Sequence, residues 1–353
     1  MAKPYVLVTL EYPPQVGGVA NYYANIVLAD AAQSIEVIHN NTGKLTKPWL
    51  KIFIALWRRQ KREPIRKIIV GQILPVGTVV WLWHLIFGTP YIVYIHGMDI
   101  TVPMRYARKR WLGRKILQGA ETIVTVSQFS AARILDYYPD CKVKIAIIPP
   151  APHILPEHFL SATNGASTDL RAPFMLSVGR LVKRKGFADA ITAFASLSSQ
   201  YKNWHYYIAG EGPEHAELEA LIVQNQLQSR VHLLGLVTDE FVARLYMQCS
   251  FFILPAQQLP DGDFEGYGTV VVEANSFGKP AIGTRSGGVS DVIQHQTTGW
   301  LVDANNPQAL LEAITKFCDQ PQLINQLGSA AKQWSEKQTW PNKAKQLQAL
   351  LER

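Results

Sequence analysis

Short runs of apolar residues alternate along the chain with longer stretches whose apolar positions recur at helical spacing. The first set occupies residues 6–10, 35–39, 68–70, 91–96, 122–126 and 145–148; a second occupies 174–178, 205–209, 231–234, 251–254, 280–283 and 299–302. A run without polar alternation is buried on both faces, as in a parallel strand covered by helices. The pattern therefore predicts two doubly wound α/β units. Between them, Pro149-Pro-Ala-Pro-His153 and then Ser161-Ala-Thr-Asn-Gly-Ala-Ser-Thr168 have linker composition. Pro149, Pro150, Pro152 and Pro156 keep the first part extended. The expected domains are residues 1–165, 166–335 and a closing helix within 336–353 that packs back toward the first. Pro341 opens that helix in its first turn, and Leu347, Leu350 and Leu351 form its apolar stripe.

Residues 68–88 carry no formal charge and are long enough to span a bilayer. Gly71, Gln72, Pro75 and Gly77 punctuate them where a strand-to-helix turn falls, and Thr89-Pro90 stops them before another strand. The reading is strand, turn and buried helix, with no transmembrane helix. The N-terminus runs directly into a strand and is too short for a secretory signal, so the mature protein is expected to begin near residue 1.

At 353 residues, with 48% hydrophobic and 18% charged positions, the composition is that of a globular protein with more than one core. Cys141, Cys249 and Cys318 lie far apart without CxxC spacing, which argues against a zinc site or disulfide framework and fits the cytoplasm. The net charge of +8 is uneven: residues 1–160 hold 19 Lys and Arg against 9 Asp and Glu, and the remainder holds 16 against 18. A basic half attracts acidic partners. No nucleic-acid signature accompanies it, leaving an anionic membrane surface or anionic acceptor. Trp57 followed by Arg58, Arg59, Lys61 and Arg62, then Arg66-Lys67, has the aromatic-plus-basic make-up of an interfacial helix. A second such stretch surrounds Trp111, with Arg105, Arg108, Lys109, Arg110, Arg114 and Lys115. A solvated helix face is the plain alternative for both.

Two motifs in the second half carry chemistry. Val178-Gly179-Arg180-Leu-Val-Lys183-Arg184-Lys185-Gly186 sets a cationic cluster after an apolar strand, and Glu265-Gly-Tyr-Gly268-Thr269-Val-Val-Val-Glu273 sets two carboxylates eight positions apart. A departing diphosphate needs positive charge and backbone donors, whereas sugar and ribose hydroxyls need carboxylate acceptors. Asp261-Gly-Asp263 has the form of a metal-binding pair but lies in a polar loop, and is read as a loop or hydroxyl contact. No GxGxxG is present, which argues against a dinucleotide dehydrogenase.

In order, Tyr12-Pro-Pro-Gln-Val-Gly17-Gly18-Val19, Tyr94-Ile-His96-Gly97-Met-Asp99, Val126-Ser127-Gln-Phe-Ser130, the 178–186 turn, Ile208-Ala-Gly210-Glu-Gly212-Pro213, the 265–273 motif and Gly287-Gly288-Val-Ser-Asp291 cover nearly the whole chain. Together they resemble family 4 of the retaining glycosyltransferases, with a leaning to the phosphatidylinositol mannosyltransferase type. The resemblance implies the GT-B fold, α/β, with two Rossmann-like doubly wound parallel-sheet domains facing across a cleft. It implies transfer of a hexose from a UDP- or GDP-linked donor to a hydroxyl acceptor, with no cofactor and no metal required; the basic half adds the expectation of a lipid-linked glycan or glycolipid acceptor at the cytoplasmic membrane face.

By the same resemblance, Arg180 and Lys185 neutralise the diphosphate; Lys183 and Arg184, which the resemblance does not assign, are expected to face solvent. Glu265 meets sugar hydroxyls, Glu273 the ribose, and His96 the sugar or acceptor, with Asp99 positioning either group. Gly17, Gly18, Gly179, Gly210, Gly212, Gly268 and Thr269 line the donor. Thr269-Val-Val-Val reads locally as a strand; the resemblance implies a helix there, ending by Gly278, and the helix is the expectation. The chain departs from the family at Ile148-Pro-Pro-Ala-Pro, where an Ile-Pro-Asn-Gly stretch is usual. A sugar-nucleotide epimerase of the same fold and a noncatalytic membrane or polysaccharide scaffold stay open as alternatives.

Overall fold

The computed structural model describes residues 3–15, 17–39, 48–104, 106–159 and 170–353. They form two compact units, residues 1–150 with 340–353 and residues 151–339. The linker segment 161–168, the expected boundary at 165, and Arg105 lie outside the described residues.

In the first unit the elements run β1 (Tyr5–Thr9), α1 (Gly18–Leu28), β2 (Ile35–His39), α2 (Pro48–Arg62), β3 (Lys67–Val70), α3 (Val76–Phe87), β4 (Tyr91–Ile95), α4 (Met98–Met104), α5 (Ala107–Gly119), β5 (Thr122–Thr125), α6 (Gln128–Tyr137) and β6 (Ile145–Ile147). All strands are parallel, in the order β2-β1-β3-β4-β5-β6. β1, β3 and β4 are buried along their whole length, which explains their unbroken apolar runs. α3 departs from the expected buried helix. Val76, Val79, Val80 and Trp83 face the core, but Leu82, Leu85, Ile86 and Phe87 are exposed, Leu85 and Ile86 by 61% and 63%.

The second unit runs β7 (Phe174–Val178), α7 (Phe187–Ala195), β8 (His205–Ala209), α8 (His215–Gln224), β9 (Val231–Leu233), α9 (Asp239–Gln248), β10 (Phe251–Leu254), α10 (Thr269–Ser276), β11 (Ala281–Thr284), α11 (Val289–Val292), β12 (Gly299–Val302), α12 (Pro307–Asp319) and α13 (Pro321–Ser335). Its parallel order is β12-β11-β10-β7-β8-β9. Phe194, Tyr206, Phe251 and Phe317 are the large side chains at the centre of its core. The last helix, α14 (Trp340–Leu351), belongs to the first unit and lies against α1. Leu347 and Leu351 are buried there, Gln348 donates to Asp30 and Ser34, and the Lys67 ammonium reaches the Leu350 carbonyl at 3.2 Å.

α10 settles the local conflict in favour of the helix. β-Branched side chains favour a strand only weakly, and here Val271, Val272 and Ala274 gain complete burial from the helical arrangement. Gly268, at φ 93°, turns the chain into the helix, and Gly278, at φ 71°, turns it out.

Candidate functional site

Each sheet reverses its strand order once, between β1 and β3 and between β10 and β7, and the carboxyl ends of strands at such a reversal form a crevice. In the second unit that position is bordered by the turn after β7 and the loop after β10. Gly179, at φ 147°, leads out of β7, and a turn of 3₁₀ helix at Lys183–Lys185 carries the cations. Lys185 is 7% exposed, and its Nζ lies 2.7 Å from Glu265 Oε2. Arg184 reaches Asp263 at 3.2 Å and Glu265 at 4.0 Å. Burial alone would raise the Glu265 pKa; the Lys185 ammonium first, then Arg184 and the Tyr267 N–H, outweigh it and hold the carboxyl below its usual range.

Close backbone packing fixes this arrangement. A Cβ on Gly186 would meet the Pro255 carbonyl at 1.9 Å, and one on Gly287 or Gly288 would meet the carbonyls of Glu265 and Gly266 at 2.3 and 2.2 Å. The Gly288 N–H also bonds the Glu265 carbonyl at 2.8 Å, so the 287–288 pair seats the carboxylate loop. Gly210 and Gly212 press on the 179–181 turn in the same way, at 2.0 Å from the Gly179 carbonyl and 2.3 Å from that of Leu181. They shape the cradle from behind. α10 begins at Gly268 and Thr269 with no side-chain cap and no acid in its first turn, leaving N–H donors and the positive dipole end available to an anion. Glu273, one turn on, is buried and already engaged: Oε1 accepts from the His153 N–H at 3.2 Å and Oε2 from the Tyr246 hydroxyl at 3.0 Å. Burial raises its pKa against those two bonds.

In the first unit the strand ends assemble a different set. Gln72, after β3, donates to Thr9 Oγ1 at 3.0 Å and accepts from the Leu10 N–H at 3.1 Å, tying the β1 and β3 ends together. Gly17 and Gly18 open α1, and a Cβ on either would meet nothing within 4 Å, so a ligand can approach the backbone there. His96 follows β4 amid Tyr22, Tyr23 and Tyr94, with ring centroids 5.0, 5.1 and 6.0 Å away. Its Nε2 lies 2.8 Å from the Tyr23 hydroxyl. Asp99 Oδ2 accepts the His96 N–H at 3.2 Å. Burial lowers the His96 pKa to about 3 and raises that of Asp99 to about 6. Glu11, also raised by burial, adds to the Asp99 shift through its charge.

Two expectations from the sequence need correction. Arg59 is not on the surface: it is buried at 5%, donating to Glu36, to Glu63 and to the Lys3 carbonyl, because α2 turns that position inward. Arg184 does not face solvent but pairs with the carboxylate loop, whereas Arg180 is exposed and has no ion pair among the described residues. Lys67 of the same basic stretch is also buried, paired with Glu121 at 2.7 Å. Trp57, Arg58, Lys61, Arg62 and Arg110 are exposed as expected, with the Lys61 ammonium over the Trp57 ring at 4.1 Å. Ser127 caps α6 by accepting the Ser130 N–H at 3.0 Å. The tyrosines around His96 and the Tyr246 and His153 partners of Glu273 had no signal in the sequence beyond their residue type.

Residues 165–334 match the family model described as glycosyl transferases group 1, and residues 30–151 match that of glycosyltransferase family 4. An uncharacterised glycosyltransferase of Methanocaldococcus jannaschii is 26% identical over 95% of this chain and 94% of its own length. The GDP-mannose-dependent α-(1-6)-phosphatidylinositol monomannoside mannosyltransferase of Mycobacterium tuberculosis is 24% identical over 93% and 92%. HepE of Anabaena, solved in complex with UDP and glucose, shares the fold at a TM-score of 0.77 with 17% identity, over 99% of both chains.

Proposed function

We propose that this chain, which belongs to glycosyltransferase family 4 and has the GT-B fold, moves a hexose from a nucleotide diphosphate sugar to a hydroxyl acceptor with retention and without a metal. The observation that carries this reading is the buried Lys185–Glu265 pair at the strand-order reversal, with the open α10 N-terminus supplied by the same unit. Nucleotide sugars or their parts accompany relatives: a GDP-mannose dependence in the mycobacterial enzyme, UDP and glucose in HepE.

In the proposed reaction, the diphosphate draws Lys185 away from Glu265, with Arg180 and the α10 N–H groups completing its neutralisation. Glu265, released from its cation, accepts sugar hydroxyls. Glu273 takes the ribose only if it gives up or shares the Tyr246 and His153 bonds it already holds. The acceptor hydroxyl attacks from the leaving-group face and the departing phosphate takes its proton, so no protein nucleophile is needed, unlike retaining glycosidases. The acceptor is placed on the basic first unit, near His96 and Asp99. The test is a thermal-shift panel of UDP, GDP and their hexose conjugates, because a ligand bound only by the folded state raises the melting point by mass action. One nucleotide series should stabilise the protein; no shift with any of them would sink the proposal.

A lipid-linked acceptor at an anionic membrane face is the second part of the proposal. Trp49, Leu50, Ile54 and Trp57 of α2 and the exposed end of α3 form an apolar surface, with Arg58, Lys61 and Arg62 beside it and no acid in either helix. No described helix is long and apolar enough to cross a membrane. The protein should float with anionic vesicles and do so less with neutral ones; equal flotation with both would remove the electrostatic half of this reading.

A further inference from the structure

Tyr23 projects from α1 and is 1% exposed. Its phenol oxygen lies 2.7 Å from the Gly71 carbonyl oxygen and 2.8 Å from His96 Nε2. A carbonyl has no hydrogen to give, so the single phenol hydrogen goes to Gly71. The second contact then closes only if His96 Nε2 carries a hydrogen and donates it to the phenol oxygen. We infer that Tyr23 is a positioning residue that holds His96 in the Nε2–H tautomer, so that the Nδ1 lone pair is the hydrogen-bond acceptor a ligand hydroxyl meets.

The surroundings keep this relay in register. The end of β3 cannot shift freely, because a Cβ on Gly71 would meet the Thr9 side chain at 2.7 Å. Tyr22 stands edge-on to the imidazole, Tyr94 lies nearly parallel to it, and Asp99 secures the His96 backbone. Burial keeps the ring neutral at physiological pH, and Nδ1 has no partner among the described residues. A neutral acceptor favours a ligand atom that brings its own hydrogen. Sugar and polyol hydroxyls qualify, whereas a carboxylate or phosphate oxygen would face lone pair against lone pair. This selectivity rests on the hexose-transfer reading; the tautomer itself does not.

The experiment uses the full-length protein labelled with ¹⁵N-histidine. Long-range ¹H–¹⁵N correlation reports the tautomer of each of the nine histidines, and His96 is assigned by its loss in His96→Gln. The wild type should show His96 as Nε2–H alone. Tyr23→Phe should shift it to a mixture or to Nδ1–H and lower kcat/KM roughly tenfold or more. The same substitution in the His96→Gln background should cost nothing further, which a merely structural role would not produce. Nδ1–H in the wild type, an unchanged tautomer in Tyr23→Phe, or an equal loss in both backgrounds would overturn the assignment. If Tyr23→Phe does not fold, the wild-type Nε2 proton decides: a slowly exchanging, downfield signal shows it held by the phenol oxygen, and a freely exchanging one overturns the assignment. Nε2–H in a protein that binds no nucleotide would overturn hexose transfer and leave the tautomer standing.

Discussion

The two units offer the same sheet reversal and fill it with opposite chemistry. In the second, four ionised side chains interlock: Lys185 with Glu265 at 2.7 Å, and Arg184 with Asp263 at 3.2 Å. In the first, neutral rings surround the centre: tyrosines pack about His96, whose pKa falls to about 3, and the one carboxyl beside it, Asp99, is pushed up to about 6 and stays mostly ionised at neutral pH. One scaffold therefore carries an interlocked ionic cluster at one strand-end site and a largely aromatic one at the other. The difference comes from what borders the strand ends: α1 and β4 bring tyrosines to His96, whereas the turn after β7 and the loop after β10 bring charges together.

Removing the cation from the ionic site should have the largest effect. Lys185→Ala is expected to lower turnover ~10²-fold or more. It also strands the Glu265 carboxylate, costing ~3–5 kcal/mol of stability. Adding Glu265→Gln to it should restore most of the stability and none of the turnover, as read by thermal melts and initial rates. Recovery of both together would mean that the pair only supports the fold.

A smaller effect distinguishes the neutral site by pH. An unfolded histidine binds its proton near pH ~6.5, while folded His96 does so only near 3. Between those values the unfolded chain holds more protons, so stability falls as the pH is lowered. Asp99 opposes this: its folded pKa of about 6 lies above the ordinary 3.8, so the folded state holds more protons in that window and gains stability on acidification. His96→Gln should flatten the loss of stability below pH ~6.5, and Asp99→Asn should steepen it. Equal slopes for wild type and both variants, measured by urea unfolding, would show that neither group is shifted.

The central strands were legible because burial on both faces leaves a nearly continuous apolar run, as in 174–178 and 205–209, whereas β2, β6 and β9 are only partly buried. α10 was not, from its residues alone. Thr269-Val-Val-Val has strand propensity, and only the packing of Val271 and Val272 makes it a helix. The cationic turn was visible as charge, but which cation points inward depends on the 3₁₀ turn at Lys183–Lys185, and Arg184 was misread for that reason. Arg59 illustrates the same limit: charge counting cannot show that one arginine of a basic run faces Glu36 and Glu63. Nor does a sequence reveal that Tyr23, from α1, and Gly71, from the end of β3, meet at His96. Such contacts join distant segments and leave no local pattern.

The claim that the second unit cradles a diphosphate is tested most directly by calorimetric titration of the stabilising nucleoside diphosphate, in EDTA, into the wild type and Arg180→Ala. Arg180 lies outside the Lys185–Glu265 pair, so its loss leaves the resting ion pairs in place. The wild type should bind without added metal, and the variant should bind roughly tenfold or more weakly through loss of a charge-assisted contact. Equal affinities in the two proteins, or binding that appears only when Mn²⁺ replaces EDTA, would contradict it.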